Sequence, residues 1–304
     1  MSIAMDARCY ECSLRRNLET ARKLGSEEEA TRFARALMEL MLKLPEGAPS
    51  PCLGPGVADL FHEIYGLPLD RFRAEKEQSN RFVLERLEEI RTRAERAADP
   101  VLAGLQFSIL GNYLDFSALQ GQVDFEKLDE MLASALEMKL DTAVYSGFLG
   151  ELEGRKKLLY VTDNAGEIGF DRVFAEILQK AYPELSITFC VRGDVILNDA
   201  TREDAAAVGI PFPVIDNGNR VGGTMLDRLS EEAREAMASS DVILAKGMGN
   251  VETMLGCGLN VYYAFLVKCP RFVTIFDKPM LTPMLVHETA RRKGARNYGI
   301  SDRA

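Results

Sequence analysis

The chain has 304 residues, enough to bury one large core or two of ordinary size. At 47% hydrophobic and 27% charged it reads as a soluble globular protein, and no apolar run approaches the ~20 residues of a membrane span. A net charge of −9 argues against a general nucleic-acid binder, and with only His62 and His287 a zinc site built from several histidines is excluded.

The opening MSIAMDARCYECS has no apolar signal core, so a cytoplasmic protein is expected. In that compartment cysteines 9, 12, 52, 190, 257 and 269 are expected to be reduced thiols, with Cys190 and Cys257 as small core residues. Residues 1 to about 150 read as helical. Glu28–Leu44 carries a wide apolar stripe through Ala30, Phe33, Leu37 and Met41 and stops at the Pro/Gly loop 45–55. Val57–Tyr65 is a short amphipathic segment. Asp70 is read as the N-cap of a long charged helix reaching Ala98, with Phe72, Phe82, Val83, Leu87 and Ile90 on its buried side. Asp99-Pro100 opens the next helix, which runs to the segment Gly111–Asp115. Asp124 caps another, over Phe125–Met138.

From about residue 156 strands alternate with helices. The expected strands are Leu158–Thr162, Ile187–Arg192, Phe212–Ile215, Val242–Lys246 and Phe272–Ile275, with helices notably at Asp171–Ala181 and Leu226–Ala238. The class is therefore α/β: a three-layer α/β/α domain with a mostly parallel sheet over 151–304, preceded by an all-helical domain over 1–150. The polar tail Arg291–Ala304 is expected to fray.

The stretch KLLYVTDNAGEIGF, residues 157–170, organises the second half. An apolar strand ends at Asp163-Asn164, and a helix follows a short turn. In open parallel sheets ligands bind outside the carboxyl ends of the strands. Asp163 and Asn164 offer a carboxylate and an amide oxygen there, hard ligands for a divalent ion. Three further strand ends carry Arg192-Gly193-Asp194 leading to Asn198-Asp199-Ala200-Thr201, then Asp216-Asn217-Gly218 with Gly222-Gly223-Thr224, and finally Lys246-Gly247-Met248-Gly249-Asn250. Each alone is ordinary loop chemistry, and Asp199 reads equally well as a helix cap. Together, Asp163, Asn164 and Asp199 can form a three-ligand oxygen site. The Gly-rich turn at 247–249 can present backbone N–H groups to an anion, and Lys246 and Arg192 add positive charge. Metal, anion cradle and cation suggest hydrolysis of a phosphate ester. Neither a P-loop nor a dinucleotide fingerprint is present. A methyltransferase using S-adenosylmethionine, and a non-catalytic binding protein stapled by the metal, are the alternatives.

The runs TDNAGEIGFD, NDAT, KGMGN and GNYLDF, with the N-terminal Cys9-x-x-Cys12, resemble the DUF89 family. These are the damage-control phosphatases that share the ARMT1-like metal-binding domain, and the Cys-x-x-Cys start resembles their compact prokaryotic branch. The resemblance covers Cys9 to about His287. It implies a metal-dependent phosphatase of small phosphorylated metabolites, with no nucleic-acid or membrane partner. Metal ligands carry over to Asp163, Asn164 and Asp199, for magnesium, manganese, cobalt or nickel. Substrate-side residues are placed at Glu167, Arg192, Gly247, Gly249 and Asn250, with Asn112 and Asp115 lining the cleft from the helical side. Lys246 is expected to offset charge on the transferred phosphoryl group. Asp163 or Asp199 as a covalent nucleophile is the less favoured route. Cys9 and Cys12 supply half of a tetrahedral metal site, which Cys52 or a partner subunit could extend; structural, metal and redox roles stay open for the pair.

Overall fold

The computed structural model describes residues 2–116 and 123–288; the tail at 291–304 lies outside them. Helices α1 (Ala7–Leu24), α2 (Glu27–Lys43) and α3 (Gly54–Tyr65) form the first layer. α1 lies ahead of the first helix expected from the sequence, and it carries both Cys9 and Cys12. Ser26 and Glu29 close a capping box that starts α2, whose apolar stripe buries Phe33 against Phe61 with ring centroids 4.5 Å apart.

The charged stretch after Asp70 differs from expectation. It forms two helices, α4 (Arg73–Leu84) and α5 (Leu87–Glu95), and the N-cap of α4 is Phe72. Asp70 pairs with Arg73 at 2.7 Å instead of capping. At the break, Arg86 turns back to donate to the Phe82 carbonyl and forks onto Asp129, contacts a continuous helix would not provide. α6 (Pro100–Gly111) starts as expected: Asp99 accepts from Leu102 N and proline fills the first turn. α7 (Phe125–Ala133) is capped by Asp124 and ends short of Met138 in a 3₁₀ turn; α8 (Thr142–Leu152) is capped by Asp141.

The second half alternates β1 (Lys157–Val161), α9 (Glu167–Ala181), β2 (Ser186–Val191), α10 (Arg202–Ala207), β3 (Val214–Asp216), α11 (Glu231–Ser239), β4 (Val242–Lys246), α12 (Gly247–Met254), β5 (Val261–Leu266), α13 (Pro270–Phe276) and β6 (Pro283–His287). Two corrections stand out. Phe272–Ile275 is helical, because Pro270 starts a turn that stacks Phe272 and Phe276 on Phe265. The strand in that region is β5, a fully buried run, and it pairs with an antiparallel edge strand, β6. The helix expected over Leu226–Ala238 starts late, at Glu231, where Ser230 caps it.

Sheet order is β3-β2-β1-β4-β5-β6, and all pairings except β5–β6 are parallel. The chain winds outward in opposite directions from β1 and β4, so the crevice between their carboxyl ends is the topological switch point. Strand residues alternate between two cores. Leu158, Tyr160, Val242, Leu244, Tyr262 and Ala264 face α6 and α9; Leu159, Val161, Ile243, Ala245, Tyr263 and Phe265 face α11, α12 and α13. Both faces are covered, which is why these strands read as continuous apolar runs. The division near residue 150 marks the change in element type, while the larger core runs across it. Gly104 and Gly111 of α6 lie directly against Phe174 and Phe170 of α9, where a Cβ would come within 2.9 Å and 2.5 Å of the rings.

Candidate metal and phosphate site

The ends of β1 and β2 are stitched together by their loops. Ala165 N donates to Asn198 O at 2.8 Å, Ala200 N donates to Asp163 O at 2.7 Å, and Asn164 and Asp199 form an isolated antiparallel bridge. Asp163, Asn164 and Asp199 are thereby brought together, as the sequence suggested, each with 7% or less of its surface exposed. Asp199 does not cap α10; Thr201 holds that position, in a capping box with Asp204.

Each of these side chains is oriented by its neighbours. The Asn164 amide nitrogen donates to Asp163 Oδ2 and Glu167 Oε2, both at 2.8 Å, which turns its oxygen toward Asn198 Nδ2, 3.0 Å away. Asn112, from the helical layer, donates to Asp163 Oδ2 and to both oxygens of Glu167. Arg192, fully buried, donates through Nε to Asp199 Oδ2 at 2.7 Å and places Nη2 3.6 Å from Asp163 Oδ1. Asn250 carries Arg192 and Thr224 on its oxygen and ties down the carbonyls of Thr162 and Lys246.

Lys246 is turned inward. Its ammonium contacts the Ser108 carbonyl and hydroxyl, Asp171 at 2.6 Å and Glu167 at 3.0 Å. Against the burial that disfavours its charge, Asp171 and Glu167 hold its pKa above the usual lysine value. Burial leaves Asp171 at about 6 even with that ammonium beside it. A second buried cation, Lys268, lies just past β5, where it binds the Asn112 carbonyl at 2.7 Å and Asp115 at 2.5 Å, and its charge acts on Asp163. Sequence reading missed Lys268 because it missed β5; the apolar run Val261–Val267 was the available signal. It also passed over Asn198, which sits inside the motif NDAT.

The donor set fits a divalent ion. Five carboxyl groups, Asp163, Glu167, Asp171, Asp199 and Asp115, gather around Arg192, Lys246 and Lys268, so that acidic groups outnumber these basic ones. Burial, then the Glu167 and Asp199 charges, push the Asp163 carboxyl well above the ordinary carboxylate range. Burial also raises Asp199, with Arg192 opposing it. A bound cation would reverse both shifts. Arg192 Nη2 and Asn198 Oδ1 are buried without a hydrogen-bond partner among the described residues. Among those residues no three His, Cys, Asp or Glu side chains are arranged to hold a metal; the set here is two carboxylates and an amide. α12 starts beside it with Gly247 at φ +76°, and Gly249 packs on the Gly222 backbone.

The remaining motifs lie elsewhere. Asn217, after β3, holds Gly193 N and Gly223 O, a structural role. Cys9 and Cys12 occupy the first turns of α1, where Arg271 donates to Cys9 Sγ at 3.2 Å and burial raises that thiol's pKa. His62 meets the Leu67 carbonyl, and His287 lies against Tyr262. No described helix is long and apolar enough to cross a membrane.

The open α/β fold agrees with the comparisons to known proteins. The family model described as "Damage-control phosphatase ARMT1-like domain" matches residues 5–280, and the chain belongs to that family. It is 32% identical over 283 residues to the protein MJ0202 of Methanocaldococcus jannaschii, covering 88% of this chain and 90% of that one. It is 29% identical over 273 residues to a damage-control phosphatase of Archaeoglobus fulgidus, covering 86% and 91%. The crystal structure of a DUF89 family protein from Pyrococcus horikoshii superposes with a TM-score of 0.80 at 24% identity, over 94% of this chain and 99% of that one.

Proposed function

We propose that the chain is a metal-dependent phosphatase acting on small phosphorylated metabolites, as the names of its relatives suggest for them. The observation that carries this reading is the cluster at the switch point. Two carboxyl groups and an amide oxygen converge beside a buried guanidinium with an unpartnered N–H. Asp163, Asn164 and Asp199 would hold the ion. When bound, a divalent ion supplies a Lewis acid for the phosphoryl oxygens and lowers the pKa of a coordinated water.

The protein's own groups do the rest. Arg192 Nη2 donates to a phosphoryl oxygen while its Nε keeps Asp199 in place. α12 begins at Gly247, against Asp163, and the partial positive charge of its first amides would favour phosphate there. Lys268, fixed by Asp115 and Asn112, adds positive charge that acts on Asp163. Lys246 acts through Glu167, pairing with that side chain while it accepts from Asn164 and Asn112. The test is phosphate release from p-nitrophenyl phosphate and a panel of sugar phosphates, using chelator-stripped protein with each divalent metal restored in turn. Metal-dependent release that is absent from Asp163→Ala supports the reading. Failure to release phosphate with any metal, from protein shown to bind metal, refutes it.

A further inference from the structure

The metal-bearing loops are tied not only to each other but also to the helical half, through one side chain. Asn80 of α4 is 6% exposed; its oxygen accepts from Gly166 N at 2.7 Å and its nitrogen donates to Asp204 Oδ1 at 2.9 Å. Gly166 lies two residues past Asn164. Asp204 accepts at Oδ2 from the amide and hydroxyl of Thr201, two residues past Asp199. One amide thus holds the backbone beyond Asn164 directly and the segment beyond Asp199 through the Asp204 side chain, although it lies 86 and 124 residues from its partners in sequence. The fit is close, since a Cβ on Gly166 would come within 2.7 Å of Ser79 Cβ. Lys76, one turn earlier, pairs with Asp204 at 2.7 Å but makes no bond to Gly166.

We propose that Asn80 is a positioning residue for the metal site, holding the Asn164 and Asp199 loops in ligating geometry against α4. This rests on the phosphatase reading above. Groups that orient ligands typically change metal affinity 10- to 100-fold when removed, roughly the loss expected here.

The experiment measures Mn²⁺ affinity by electron paramagnetic resonance, and stability by thermal melting, for the wild type and for Asn80→Ala, Lys76→Met and Asp163→Ala. Asn80→Ala is expected to bind Mn²⁺ at least about tenfold more weakly at temperatures where it is folded. Lys76→Met is expected to melt earlier yet bind within a few-fold of wild type. Wild-type affinity in folded Asn80→Ala would overturn the proposal while leaving the metal site intact. If Asp163→Ala binds like wild type, the site assignment itself fails and this proposal falls with it. Should Asn80→Ala not fold, Asn80→Asp, which sets two carboxylates face to face, is compared with Asn80→Asp combined with Asp204→Asn, which restores a donor–acceptor pair. Recovery of Mn²⁺ affinity in the double variant supports the positioning role; equal affinity of the single and double variants overturns it.

Discussion

The Asp163 carboxylate lies directly against the backbone of Gly247. A Cβ built on that glycine would overlap Asp163 Oδ2, and Gly247 adopts φ +76°, a conformation that side-chain-bearing residues rarely take. The two residues follow the carboxyl ends of β1 and β4, the strands that flank the switch point. Gly247→Ala is expected to cost about 1–3 kcal/mol from the backbone conformation alone, and to displace Asp163 as well. Urea denaturation measures the first effect and Mn²⁺ titration the second; wild-type Mn²⁺ affinity in the variant would mean that Asp163 is not fixed by this contact.

Asp163→Ala is expected to leave apo stability unchanged or slightly raised, because burial and the Glu167 and Asp199 charges already disfavour its ionised form. Saturating Mn²⁺, at a hundred times its Kd, should stabilise the wild type by about 2.7 kcal/mol and the variant not at all. Thermal melts with and without metal read both effects.

Lys246→Met should be a folding defect before it is a catalytic one. It leaves Glu167 and Asp171 buried without their shared cation, and both are fully inaccessible to solvent. Breaking a buried pair in this way costs about 3–5 kcal/mol. A denaturation midpoint equal to wild type would show that the ammonium is not holding that network together.

Glu252, on α12, has 16% of its side chain exposed and lies 3.7 Å from Arg271. Burial pushes its carboxyl up to about 7, with Arg271 opposing. A carboxyl raised in the folded state favours folding fully below its unfolded pKa of about 4.3, and that contribution is lost as pH rises through about 7. Stability should therefore decline across this window, and Glu252→Gln should flatten the decline. Chemical denaturation at pH 5 and pH 8 tests it; an equal decline in the variant would assign the slope to other groups.

The alternation of strands and helices, the parallel sheet and the loops carrying Asp163, Asn164, Arg192 and Asp199 were legible because both-face burial and βα turns leave strong local patterns. The apolar run VYYAFL carried the signal for β5, but the phenylalanines of α13, further along the chain, mimicked a strand and drew the reading there instead. Losing β5 also hid Lys268. The inward turn of Lys246 depends on Ser108 and Asp171, 138 and 75 residues away, and no spacing in the chain encodes such a contact. Asn80 was unreadable for the same reason.

Asp163, Asn164 and Asp199 are proposed to hold the ion on which phosphatase activity depends. The most direct test measures Mn²⁺ occupancy and phosphate release on the same samples, for the wild type and Asp199→Asn. Release should rise in proportion to one bound ion per chain in the wild type, with both signals lost together in the variant. Full turnover in Asp199→Asn, or turnover that persists in metal-free protein, would contradict it.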